Sequence, residues 1–171
     1  METIFTGRIF SVIKKSITDE EGKQLERDIV VHPGAVAVLP ILPDRRIVLI
    51  RQKRIAVEDD LIELPAGTME PGEEPIVTAR RELIEETGYR ADELVPILKF
   101  YTSPGFVKEE MRLFKATGLV AGPTALDDDE KIEPLLLDLP QAMHKVLSGE
   151  IRDAKTIIGI LWYNQQAGGL P

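Results

Sequence analysis

Three glutamates crowd a short segment near the middle of the chain, RRELIEETGY. Glu82, Glu85 and Glu86 are spaced so that, on a helix, their side chains point into one arc of about 100°. Like charges at this spacing repel by a few tenths of a kcal/mol per pair. A divalent cation between them would reverse the sign of the interaction, and hard carboxylate ligands suit Mg²⁺, Mn²⁺ or Ca²⁺. The segment therefore predicts a metal site, with a solvated, glutamate-rich helix face as the alternative.

The helix that must position these carboxylates is predicted over residues 74–87. It stops at Gly88, because glycine readily takes the left-handed conformation that ends a helix. Gly67 lies at the start of the tight loop that leads into the helix. The face predicted to pack on a sheet spans an arc of about 60° and comprises Ile76, Ala79 and Leu83.

The remaining elements are predicted from runs of apolar residues and from turn chemistry. Residues 35–42 and 47–52, joined by Pro-Asp-Arg-Arg, predict a hairpin. Asp138 can cap a second helix that has Pro140 in its first turn and ends before Gly149. A third helix is predicted over 153–166. Further strands are predicted at 3–14, 26–31, 60–67, 95–102 and 110–119.

This order of elements predicts an α/β or α+β sandwich, with helices packed against a mixed sheet. The 171 residues suffice for a single domain, and no linker or repeat divides the chain. The formal net charge of -8 argues against general nucleic-acid binding, which needs a basic surface. The absence of cysteine excludes disulfides and thiolate metal sites. No signal peptide or membrane span is visible, so a cytoplasmic protein is expected.

The segment from Gly67 to Gly88 resembles the Nudix box. That pattern is Gly, five residues, Glu, seven residues, then Arg-Glu-aliphatic-x-Glu-Glu-x-Gly-aliphatic. The matching residues here are Gly67, Glu73, Arg81, Glu82, Leu83, Glu85, Glu86 and Gly88; Tyr89 alone departs from the pattern, since it stands where an aliphatic residue is expected.

The resemblance implies a Nudix-type α/β/α sandwich whose loop–helix–loop hydrolyses a nucleoside diphosphate linked to another group. It implies Mg²⁺ or Mn²⁺, with more than one ion, bound by Glu82, Glu85, Glu86 and the backbone carbonyl of Ala66. Arg81 and Glu73 would brace one another and orient these ligands. Metal ions suit this chemistry because they neutralise the diphosphate and activate water.

Segments outside the box resemble the ADP-ribose pyrophosphatase branch of the family. Pro104, in the sequence Ser-Pro-Gly-Phe, stands fifteen residues beyond the end of the box, although an ordinary Pro-Gly turn would look the same. The branch implies release of AMP and ribose 5-phosphate from ADP-ribose. The residues that it implies near the substrate or the metal are Arg27, Arg51, Arg54, Glu63, Glu70, Pro104, Gly105, Phe106 and Glu109.

A carboxylate must accept the proton of the attacking water. In the enzymes that this chain resembles, the base comes from an acidic loop after the box, which here is LDDDEKIEP. Glu130 is the first candidate and Asp128 the second, with Glu85 and Arg81 supporting the reaction within the box. The resemblance also implies a homodimer, often with N-terminal strands (about residues 1–33) exchanged between subunits.

Two classes of function remain open at this point. The first is an enzyme acting on ADP-ribose or on a close variant, such as GDP-mannose, another sugar nucleotide or a dinucleoside polyphosphate. The second is a Nudix-fold domain that senses a nucleotide without turnover. Such domains commonly lose box carboxylates, and this chain retains Glu82, Glu85 and Glu86. A P-loop ATPase is excluded because the chain lacks GxxxxGK[ST].

Overall fold

The computed structural model describes residues 1–126 and 131–168. The described helices are α1 (Pro75–Thr87), α2 (Leu139–Leu147) and α3 (Ala154–Gln166). The described strands are β1 (Glu2–Thr6), β2 (Ser11–Thr18), β3 (Gln24–Val31), β4 (Ala35–Pro40), β5 (Ile47–Arg54), β6 (Asp59–Glu63), β7 (Ala66–Thr68), β8 (Tyr89–Tyr101), β9 (Val107–Lys108), β10 (Glu110–Ala121) and β11 (Ile132–Leu137).

The strands form three small sheets. One has the order β1-β2-β3-β9, the second β7-β4-β10-β8 and the third β11-β5-β6. The second sheet is mixed, because β10 runs parallel to β4 and antiparallel to β8. In the first sheet, β3 pairs in parallel with β9. This pairing connects the N-terminal strands to the loop that follows β8.

The core lies on both faces of β4, whose successive side chains point to opposite sides. Val36 and Val38 pack with α1 residues in one cluster, whereas Ala37 and Leu39 belong to the other cluster, together with Ile160 of α3. Strands buried on both faces read as continuous apolar runs, as AVAVLP does. The resulting layers, with helices on either side of mixed strands, confirm the predicted fold class.

The predicted hairpin of residues 35–52 is wrong. The turn itself forms, since Leu42 N–H donates to Arg46 O (2.9 Å). The two strands then diverge: β4 pairs with β7 and β10, whereas β5 pairs with β6 and β11. A single antiparallel bridge between Ile41 and Ile47 connects them. Each strand forms its ladders with other strands, and turn chemistry alone carries no information about those partners.

Two predicted strands are each divided in two. The 60–67 segment breaks at Leu64 and Pro65, so that β6 and β7 join different sheets. Proline has no N–H for a ladder, which favours a break there. The 3–14 segment turns between β1 and β2, where Gly7 N–H donates to Phe10 O (2.9 Å).

The three predicted helices are confirmed within one residue at most of their ends. Gly88 has φ 73° and donates its N–H to Ile84 O. Asp138 caps α2 through a reciprocal pair of hydrogen bonds with Gln141. Ile76 is a correction: Ala79 and Leu83 are fully buried, but Ile76 is 42% exposed and does not belong to the buried face. Across residues 1–126 and 131–168, none of the helices is long and apolar enough to cross a membrane.

Candidate active site

Helix α1 and strand β7 bring the glutamates of the box against the backbone of Ala66 and Gly67. Glu86 is buried, and its Oε2 accepts a hydrogen bond from the Ala66 N–H (2.8 Å). Glu82 lies over Gly67 so closely that a Cβ built on Gly67 would be 1.8 Å from Glu82 Oε1. Glycine at position 67 therefore allows the Glu82 carboxylate to lie in its present position, a reason the spacing of the motif does not reveal.

A positive charge already lies among the glutamates, because Arg81 donates from Nη1 to both Glu82 Oε1 (2.7 Å) and Glu85 Oε2 (2.9 Å). The other edge of its guanidinium faces Glu73, at 3.4 Å from Nε and 3.4 Å from Nη2. Burial by itself would lower the pKa of Arg81, but these carboxylates outweigh it and raise that pKa. Arg81 and Glu73 are thus paired as the resemblance implied.

The donor chemistry around Ala66 fits a hard divalent cation, since it consists of carboxylate oxygens and a backbone carbonyl. As the side chains stand, no three His, Cys, Asp or Glu residues of 1–126 and 131–168 are grouped so that they could hold a metal ion. Arg81 draws Glu82 and Glu85 toward itself in this arrangement. Binding a metal ion through all three glutamates would therefore require Glu82 and Glu85 to turn away from Arg81.

Arg54 and Glu63 form a second charged group at the ends of β5 and β6. Glu63 is 1% exposed, and its two carboxylate oxygens accept hydrogen bonds from Arg54 Nε and Nη2, each 2.7 Å long. Lys155 of α3 also donates to Glu63 Oε2. Glu63 is enclosed and held by two cations, so its carboxylate supports Arg54 from the protein interior and does not face solvent. Contact between Arg54 and a substrate stays a prediction.

Glu63 should make stability depend on pH in the acid range. Burial tends to raise the pKa of Glu63, but the hydrogen bond from Arg54 and the charge of Lys155 lower it below the ordinary value of 4.5. A lowered folded-state pKa contributes stability above the unfolded value, and that contribution is lost as the pH falls through the folded value. We expect Glu63→Gln to cost about 2 kcal/mol at pH 7 and progressively less below pH 4.5.

Urea unfolding of wild type and Glu63→Gln at pH 7, 5, 4 and 3 measures this difference. Glu74→Gln is the matched control, because Glu74 is an exposed glutamate whose side chain makes no capping bond at the start of α1. A constant difference between Glu63→Gln and wild type at all four pH values would show that the ionised carboxylate of Glu63 contributes no stability.

The N-terminal sheet and the loop after β8 line an open cavity of about 410 Å³, called here the Arg27 cavity. Arg27 on β3 lines one side, and Pro104, Gly105 and Phe106 line the other. Parallel pairing of β3 with β9 brings them together, since Val30 N–H donates to Phe106 O (2.9 Å). Four residues predicted at the substrate thus share one cavity.

The other predicted residues are dispersed. Arg51 lines a different cavity of about 490 Å³ with Lys53 and Lys131. Glu70 is exposed, and its N–H donates to Glu73 Oε2 (3.3 Å) at the start of the box. Glu109 is half-buried and accepts a hydrogen bond from Thr102 Oγ1 (2.7 Å). The proposed bases Asp128 and Glu130 lie outside the described residues.

Sequence reasoning missed four residues near these groups. Lys155 and Asp153 belong to the Glu63 cluster, and Tyr101 and Lys108 line the Arg27 cavity. Lys155 carries no detectable signal, because lysine near a helix start is ordinarily solvated. Tyr101 and Lys108 flank the Ser-Pro-Gly-Phe segment, so their positions beside that segment could have indicated them.

The chain is similar to a known family of proteins and to several curated proteins. The NUDIX domain family matches residues 31–157. The chain is 43% identical over 161 residues to the ADP-ribose pyrophosphatase of Bacillus subtilis, covering 93% of this chain and 87% of that protein. It is 40% identical to the methanol dehydrogenase activator of Bacillus methanolicus, covering 96% and 90%. It is 40% identical to the GDP-mannose pyrophosphatase of Cronobacter sakazakii, covering 73% and 70%.

Among solved structures, a crystal structure of an ADP compounds hydrolase superposes with a TM-score of 0.85, covering 99% of this chain and 94% of that one. At 23% identity this match supports the fold alone. The fold and box are those of a pyrophosphate-bond hydrolase, and the chain belongs to the Nudix family. The predicted resemblance to its ADP-ribose pyrophosphatase branch is confirmed.

Proposed function

We propose that this protein is a divalent-metal-dependent pyrophosphohydrolase that converts ADP-ribose and water into AMP and ribose 5-phosphate. The observation that carries the proposal is the convergence of Glu82 and Glu86 on Gly67 and Ala66, with Arg81 and Glu73 alongside. The relative from Bacillus subtilis, which shares most of the chain's length, supports ADP-ribose as the substrate.

Glu82, Glu85, Glu86 and the carbonyl of Ala66 would hold Mg²⁺ or Mn²⁺, with more than one ion. When bound, such ions neutralise a diphosphate and lower the pKa of a coordinated water. The chain's own contribution is orientation. Glu86 is fixed by the Ala66 N–H, and Arg81 compensates the charge of Glu82 and Glu85 until a metal ion binds.

The Arg27 cavity is the proposed site for the adenosine half of the substrate. Tyr101 and Phe106 line it and offer aromatic surfaces on which a base can stack. Arg27 and Lys108 supply positive charge to the same cavity, which favours a phosphate-bearing ligand. Pro104 and Gly105 complete its wall.

The general base is proposed to be Glu130, with Asp128 second and Glu109 as a further acid that supports a metal or water. A carboxylate that is free of metal suits this step, because it must accept the proton of the attacking water. Arg54, Arg51 and Glu70 are proposed to contact the diphosphate or the terminal ribose, with Glu63 behind Arg54.

We further propose that the protein is a cytoplasmic homodimer, formed from single-domain subunits of residues 1–171, in which N-terminal strands are exchanged. The apolar side chains of Ile4, Phe5, Ile9 and Phe10 support a partner surface, because each is more than 40% exposed. The rings of Phe5 and Phe10 lie 6.0 Å apart between centroids, and clustered exposed apolar groups are typical of interaction sites.

GDP-mannose is the second candidate substrate, since a GDP-mannose pyrophosphatase is 40% identical over 134 residues. The test is a panel of ADP-ribose, GDP-mannose, NADH and diadenosine polyphosphates with Mg²⁺ or Mn²⁺, with products identified by chromatography. We expect AMP and ribose 5-phosphate from ADP-ribose, with little turnover once the metal is chelated. Turnover of another compound alone would support the proposed hydrolysis reaction but show that ADP-ribose is not the substrate. Binding without any turnover would instead indicate a nucleotide sensor.

A further inference from the structure

A cluster of four charged residues, two of them buried, joins the end of β5 to the start of α3. Its members are Arg54, Glu63, Lys155 and Asp153, and Glu63 stands at the centre with 1% exposure. Lys155 is itself 8% exposed and bridges Glu63 to Asp153 Oδ1 (3.0 Å). Two cations and two anions balance, so the cluster can be enclosed without a net charge.

The first turn of α3 fixes this cluster to the strands. Asp153 caps α3 by accepting a hydrogen bond from Thr156 N–H (3.0 Å). Thr156 Oγ1 accepts a hydrogen bond from the Leu64 N–H (2.7 Å), next to Glu63. The segment held in this way leads directly into Ala66 and Gly67 of the box. The start of α3 therefore orients both Glu63 and the approach to the candidate metal site.

Arg54 is the member of the cluster that reaches solvent, with 42% of its side chain exposed. Its Nε and Nη2 are bound to Glu63, so its remaining edge can meet a ligand. The hydrogen bond to Glu63 raises its pKa most strongly; burial opposes this, and the charges of Glu63, Glu86 and Asp153 add to the rise. The contribution of Glu86 places Arg54 within electrostatic reach of the box.

We propose that Lys155 is a positioning residue, which holds Glu63 so that the Arg54 guanidinium faces the diphosphate of the substrate. This inference rests on the proposed function. A planar guanidinium bound along one edge by a fixed carboxylate keeps its free edge in one orientation. Without Lys155, Glu63 loses one of the two cations that hold it. The carboxylate that orients the Arg54 guanidinium is then less firmly fixed.

Steady-state kinetics with ADP-ribose test the inference. We expect Lys155→Met to raise KM about tenfold, with kcat changed about twofold or less. The weakened contact, between Arg54 and the diphosphate, stabilises the bound substrate and the transition state equally. Arg54→Gln should raise KM at least as much. The double variant should match Arg54→Gln within about twofold, since residues acting through one another are not additive. Multiplication of the two effects, or a wild-type KM in Lys155→Met, would overturn the inference.

Lys145→Met is the matched control, because Lys145, on the neighbouring helix α2, makes an ion pair with Glu150 (2.6 Å) and takes no part in the cluster. It should retain the wild-type KM. If Lys155→Met does not fold, Lys155→Met combined with Glu63→Gln removes the stranded charge together with its partner. That double variant should recover stability and raise KM as much as Glu63→Gln alone, because Lys155 acts through Glu63; a further rise in KM over Glu63→Gln would contradict the inference.

A second readout separates this inference from the proposed function. The Nε–H resonance of Arg54 in ¹⁵N-labelled protein, assigned by its absence from Arg54→Gln, should be sharp in wild type and broadened in Lys155→Met. If wild type does not hydrolyse ADP-ribose but the resonance behaves in this way, the proposed function fails and the positioning holds. An unchanged resonance in Lys155→Met would refute the positioning whatever the substrate.

Discussion

Replacing Glu86 by Gln should reduce kcat for ADP-ribose about a thousandfold, which corresponds to about 4 kcal/mol of transition-state stabilisation. The substituted amide has the same shape, and its oxygen can still accept the Ala66 N–H bond that Glu86 Oε2 now accepts at 2.8 Å. The fold should therefore persist. The negative charge is lost, however, and an amide is a much weaker ligand for a hard divalent cation. Initial rates at saturating ADP-ribose and Mg²⁺ measure the effect.

Glu93→Gln is the control for this change. Glu93 is an exposed glutamate on β8 that accepts a hydrogen bond from Thr117 Oγ1 (3.0 Å), outside the box. It should retain wild-type kcat. The two variants should also unfold at similar urea concentrations. A Glu86→Gln protein that is folded and retains more than about a tenth of wild-type kcat would remove Glu86 from the metal site.

Gly67→Ala should lower kcat/KM for ADP-ribose at least about a hundredfold, because misplacing a catalytic group by about 1 Å has effects of that size. The added Cβ would lie 1.8 Å from Glu82 Oε1 and 2.0 Å from Glu82 Cδ. The carboxylate is the far end of a flexible side chain and can swing aside. The free energy of unfolding should therefore change by no more than about 1 kcal/mol.

Gly22→Ala should show the opposite pattern. Gly22 lies in the turn between β2 and β3, has φ 84°, and has no atom within 4 Å of an added Cβ. The left-handed conformation should cost about 1 kcal/mol of stability, with no change in kcat/KM. Urea unfolding and kinetics on the same preparations make the comparison. Full activity in Gly67→Ala would show that Glu82 need not lie over residue 67.

Several elements of the fold could be predicted from residues that lie close together in the sequence. Helix α1 ends where Gly88 adopts φ 73°, and α2 begins at the cap made by Asp138. Both depend on residues within one or two turns, which a sequence displays directly. The failure of Ile76 to face the core shows the limit of the same reasoning. A helical wheel gives the direction of a side chain, but the end of a helix can extend beyond the sheet that it covers.

Strand partners did not follow from local signals. The turn after β4 forms as its residues suggest, yet β5 joins another sheet. Which strands pair depends on the total burial available to each arrangement, and this is shared among segments far apart in the chain. The same long-range pairing, between β3 and β9, brings Arg27 to the loop of Pro104 and Phe106.

By itself, the sequence determined the family, the helix that carries Glu82, Glu85 and Glu86, and the residue types suited to a hard metal ion. These depend on fixed spacing and on helical geometry, which short segments encode. Only the tertiary structure decided that Arg81 lies between two of the glutamates, that Gly67 must lack a side chain beneath Glu82, and that Lys155 supports Glu63. Each of these is a contact whose atoms meet only after the strands and helices pack. In a buried site, the interaction between two charges also depends on the other charges and hydrogen bonds around them.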